Sequence, residues 1–89
     1  MAGNDEKYII TFKKTTIAFK FESYCKKENL TAKLRPVPTK LSKSCGYACS
    51  IKKDELDTIR KLCIDKNIDY SQFYRIDKDG KPHKLFKEA

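Results

Sequence analysis

Four cysteines are the residues of this 89-residue chain with the most chemical potential, and their contexts divide them. Cys45 stands directly before Gly46 at the end of a polar stretch, Cys49 follows four residues later, and Cys25 and Cys63 recur at helical spacing with apolar neighbours. Only the thiolate is nucleophilic, so the question for each is what positive charge lies near it. Cys25 and Cys63 read as small core residues. Cys45 and Cys49 fall on one side of a strand, about 13 Å apart at roughly 3.3 Å per residue, too far for a direct disulfide unless the strand start bends. Cys45 is the candidate reactive thiol and Cys49 a possible second thiol. The competing readings are a half-buried strand-start residue for Cys45 and plain packing for Cys49.

Other chemistries find little support. The carboxylates are scattered, and no histidine lies near Cys45 in sequence to act as its base. Gly3, Gly46 and Gly80 form no phosphate-cradling loop. A zinc site from the cysteines and His83 would rest on one Cys-x3-Cys pair within a strand, unlike knuckle spacing, and His83 reads as a tail residue. No metal and no cofactor are expected, and an enzyme is the less expected reading.

The elements that would position these thiols follow from periodicity. Lys7-Tyr-Ile-Ile-Thr-Phe12 has strand composition. Ile17, Phe21, Tyr24, Cys25 and Glu28 predict a helix over about 16–28, with Thr15 or Thr16 as its N-cap. Residues 31–38, carrying Pro36 and Pro38, read as an edge strand, because proline cannot donate to a ladder. A polar loop over 39–44 leads to a third strand over 45–51. Leu56, Ile59, Leu62 and Cys63 predict a second helix ending near Asn67, and residues 70–76 a fourth strand. Asp77-Lys-Asp-Gly80 is turn chemistry.

The expected fold is α+β, a ferredoxin-like split βαβ domain (β-α-β-β-α-β) over 7–76, with a four-stranded antiparallel sheet and two helices on one face. Residues 1–6 are expected to be a disordered N-terminus and 77–89 a C-terminal tail. In such a sheet the third strand runs antiparallel to the first, so Cys45 would lie where the first strand ends and the first helix begins. There the N–H groups at Thr15 and Thr16 offer partial positive charge, Lys13, Lys14 and Lys43 offer full charges, and Gly46 admits a close approach.

Composition bounds the rest. Apolar residues at 39% and charged residues at 36% suit one globular domain, and the net charge of +8 attracts acidic partners or polyanions. No stretch approaches the roughly 20 apolar residues that span a bilayer, and the N-terminus lacks signal-peptide order, so the expectation is a basic, cytoplasmic protein with no membrane partner and reduced cysteines.

Arg35-Pro-Val-Pro38, a short polar loop and Ser44-Cys-Gly46 give the chain a resemblance over about 7–76 to a small bacterial family of uncharacterised function, described as selenium/sulfur carrier-like proteins. The resemblance implies a carrier in which Cys45 holds a persulfide or a related chalcogen adduct, with a protein donor or acceptor of sulfur or selenium as partner. Two other readings stay open. One is an RNA-binding module stacking bases on Tyr8, Phe12 or Tyr47, although the basic-aromatic signature expected on its third strand is missing. The other is a passive module that uses the sheet face or an edge strand to bind a protein or form a homodimer.

Overall fold

The computed structural model describes residues 7–37 and 46–86. They form β1 (Lys7–Phe12), α1 (Thr15–Lys27), β2 (Ala32–Pro36), β3 (Tyr47–Ile51), a 3-10 turn (Lys53–Glu55), α2 (Leu56–Asp65), β4 (Gln72–Ile76) and β5 (Pro82–Leu85). The five strands lie in the order β2-β3-β1-β4-β5, and every neighbouring pair is antiparallel. The apolar, β-branched β1 sits at the centre, buried at every position after Lys7.

Alternation sends β1 residues to opposite faces, and the register carries that choice across the sheet. Ile10 faces Cys49 on β3 and Phe73 on β4, while Tyr8 faces Ile51. These residues share one core with Ala18, Phe21 and Cys25 of α1 and Ile59, Leu62 and Cys63 of α2, so both helices cover the same face. Phe12 and Phe21, both fully buried, bring their ring centroids to 5.2 Å. On the opposite face Ile9, Ala48 and Tyr74 cluster with Val37 and Ile76.

The two helices end alike. Asn29 and Asn67 adopt left-handed backbone (φ 59° and 52°) just past the ends of α1 and α2. The next N–H, that of Leu30 or Ile68, donates back to the carbonyl of Cys25 or Cys63 at 2.8 and 2.9 Å. These are Schellman closures, and each brings its following apolar residue, Leu30 or Ile68, onto the core. Cys25 and Cys63 thus hold equivalent positions in two half-repeats.

Three expectations change. The sheet has five strands and not four, because Pro82–Leu85, expected in the tail, pairs with β4. Asp77 makes that hairpin: its Oδ1 accepts from the N–H groups of Asp79 and Lys81, both at 2.9 Å, and Gly80 takes φ 83°. His83 accordingly belongs to β5, where its Nε2 meets Asp77 Oδ2 at 2.8 Å. The cap of α1 is Lys14 and neither threonine, and it makes no side-chain capping bond. Finally, β2 stops at Pro36, and two carboxylates cover its backbone: Leu34 N–H donates to Glu22 Oε2 at 3.3 Å and Thr31 N–H to Glu55 Oε1 at 2.7 Å. Covering unpaired N–H groups blunts an edge strand.

Candidate functional site

The site grows from the end of β1. Gly46 N–H donates to Phe12 O at 3.1 Å, and a Cβ on Gly46 would stand 3.6 Å from the Lys13 carbonyl oxygen. On the other flank Ser71 N–H donates to Thr11 O at 2.7 Å. The turn into β3 therefore closes on the junction between β1 and α1.

At that junction α1 opens with exposed Thr15 and Thr16, and its first helical bond runs from Ala18 N–H to Lys14 O at 3.2 Å. Its first turn holds no acidic residue. The leading N–H groups of a helix have no partner within it and carry partial positive charge. Lys13 and Lys14, with Ile17, Asp69, Tyr70 and Ser71, line a hollow of about 220 Å³ beside this helix start. Among the described residues that line the hollow, Lys13 and Lys14 stand against one carboxylate, Asp69. Gly46 thus lies against the backbone of Phe12 and Lys13; Lys14, Thr15 and Thr16 follow on at the exposed start of α1; and the hollow that Lys13 and Lys14 line is walled by Asp69, Tyr70 and Ser71. Cys45 and Lys43 lie outside the described residues.

The other thiols sit in the opposite environment. Cys25 and Cys49 are fully buried and Cys63 is 2% exposed. Burial first, then the charges of Glu55 and Glu22, pushes the Cys25 thiol up to about 11. Burial, with Glu22 and the neighbouring thiols, pushes Cys49 to about 12. Burial and Cys25 do the same for Cys63, also to about 12. All three are protonated at neutral pH, which suits packing and not nucleophilic attack. Among the described residues no group of three His, Cys, Asp or Glu side chains could hold a metal ion.

The aromatics considered for base stacking do not share an open face. Tyr8 and Phe12 are buried in the helix-covered core, with Phe12 fully buried. Tyr47, opposite Phe12 in register and so on that same face, stays exposed beside exposed Phe19, their ring centroids 6.4 Å apart. This Phe19–Tyr47 pair next to Gly46 was missed by periodicity alone. Its signal was Phe19 itself, a large apolar residue out of step with the buried stripe of Ala18, Phe21 and Cys25.

A family model described as "Putative Se/S carrier protein-like" matches residues 7–75. No curated protein and no solved structure matches significantly. No helix among the described residues is long and apolar enough to cross a membrane.

Proposed function

The chain belongs to the family described as "Putative Se/S carrier protein-like", and on that premise we infer that it carries sulfur or selenium on the Cys45 thiol. The observation supporting this most is the Gly46 N–H bond to Phe12 O, which ties the residue after Cys45 to the lysine-flanked, uncapped start of α1. Positive charge there would lower a thiol's pKa and hold a persulfide anion. Setting β5 aside, the order β2-β3-β1-β4 is the one our ferredoxin-like reading requires, and we take the fold as that arrangement extended by one strand.

The transfer balances without an added oxidant. The Cys45 thiolate attacks the terminal sulfur of a donor enzyme's cysteine persulfide, a new S–S bond forms on Cys45, and the donor S–S bond breaks with its electron pair leaving on the donor thiolate. The proton on the terminal sulfur stays with it or passes to water. Selenium would follow the same course. The exposed Phe19–Tyr47 pair beside Gly46 offers the donor protein a contact surface. Cys49, buried and protonated, we take as packing.

The test is intact-protein mass spectrometry after incubation with a cysteine desulfurase and cysteine. The native chain and Cys49→Ala should each gain one sulfur, and Cys45→Ala none. A full adduct on Cys45→Ala would refute the assignment.

A further inference from the structure

A second cleft lies at the other end of the sheet. Lys7 and Phe12 bound β1, and five strand steps at about 3.4 Å each put this end roughly 17 Å from the Gly46 turn. The cleft encloses about 690 Å³, within the range of pockets that hold small molecules, about 300–1,000 Å³. Its floor is aliphatic: Ile9, Ala48 and Ile76, from three adjacent strands on the face away from the helices.

Its rim is cationic. Lys7, Arg35, Lys52 and Lys53 line it, all four exposed, with Asp54 as the one acidic residue. None of the four makes an ion pair among the described residues. Four cations against one carboxylate give the cleft a positive potential that draws an anion. Among the described residues this face adds no exposed aromatic to stack a nucleic-acid base: Tyr74 is 8% exposed.

From this aliphatic floor under a cationic rim we propose that the cleft binds a small organic phosphate, the phosphate on Lys7, Arg35, Lys52 and Lys53 and the apolar body on Ile9, Ala48 and Ile76. The site is independent of Cys45 and needs no sulfur chemistry.

Phenyl phosphate, titrated into isotopically labelled protein and followed by backbone amide shifts, tests it, with inorganic phosphate as the bare anion. Phenyl phosphate should saturate, move the amides of Ile9, Ala48, Ser50 and Ile76, and bind at least about tenfold more tightly than inorganic phosphate. Arg35→Glu combined with Lys52→Glu, both exposed positions, should weaken it at least about tenfold, while Lys84→Glu, outside the cleft, should leave it within about twofold. The proposal is overturned by no saturable binding, by equal affinity for both anions, or by shifts spread over Lys20, Lys26 and Lys61, which would mean diffuse counterion attraction only.

Discussion

The core beneath the helices and the junction at Gly46 treat charge in opposite ways. In the core, Cys25, Cys49 and Cys63 are closed off from water, Glu22 and Glu55 add negative charge near Cys25 and Glu22 near Cys49, and each thiol is held in its neutral form. At the junction, Gly46 packs against the backbone of Phe12 and Lys13, the Lys13 and Lys14 side chains are exposed, and the first helical turn holds no acid. The same residue type would thus be inert in one region and activated in the other, and the difference lies in burial and neighbouring charge and not in the cysteine.

The largest expected contrast is in stability. Phe21→Ala should cost about 3–5 kcal/mol in denaturant unfolding, because it empties a fully buried ring site against Phe12. Lys13→Ala and Lys14→Ala should change stability by less than about 0.5 kcal/mol, since both side chains are exposed, yet slow sulfur acceptance. A cost of several kcal/mol for either lysine would make the junction structural and dissolve the comparison.

Alkali sharpens it next. The core thiols are raised in the folded state from the ordinary 9.0 to about 11 and 12. A raised folded value means this contribution to stability is fully present below pH 9 and lost as pH climbs through 11 and 12, because the unfolded chain releases its thiol protons first. Denaturant midpoints should therefore fall progressively above pH 9, and Cys49→Ala should flatten that fall. An unchanged slope in Cys49→Ala would show that the buried thiol is not what titrates.

Thr16→Glu separates the two regions at smaller scale. A carboxylate in the first turn of α1 should stabilise the fold by about 0.3–1 kcal/mol through the helix dipole. The same charge should slow Cys45 alkylation by several-fold. Opposite signs on stability and reactivity would mark a helix start left without acid for its chemistry; equal signs would not.

The smallest effect lies away from both regions. Asp77 is held near 2 from an ordinary 3.8, chiefly by its hydrogen bond to His83 and then by backbone N–H groups. Its contribution is present above pH 3.8 and fades as pH falls through about 2. His83→Ala should move the Asp77 titration, read by NMR, back toward 3.8, and no movement would assign the shift to the backbone donors alone.

Much of the fold was legible. The β-branched run of β1, the 3.6-residue stripes of both helices and Pro36 at the end of β2 each declare themselves locally. Strand β5 did not, because Pro82-His-Lys-Leu85 alternates weakly and its pairing depends on the turn at Asp77; Asp79-Gly80 after a strand was the available hairpin signal. The α1 cap was misjudged because threonine preference was weighed without the backbone, which enters the helix one residue sooner. The candidate site was legible as far as topology carries it: antiparallel pairing of β1 and β3 brings Gly46 to Phe12. The basic cleft was not, since Lys7, Arg35 and Lys52 meet only through the register of three strands.

The most direct measurement is peptide-mapped iodoacetamide labelling of the native protein from pH 5 to 10. Cys45 should react with a midpoint clearly below the ordinary thiol value of 9.0 while Cys25, Cys49 and Cys63 stay unlabelled until denaturant is added. A Cys45 midpoint at or above 9.0, or core thiols labelling as fast as Cys45, would contradict the account.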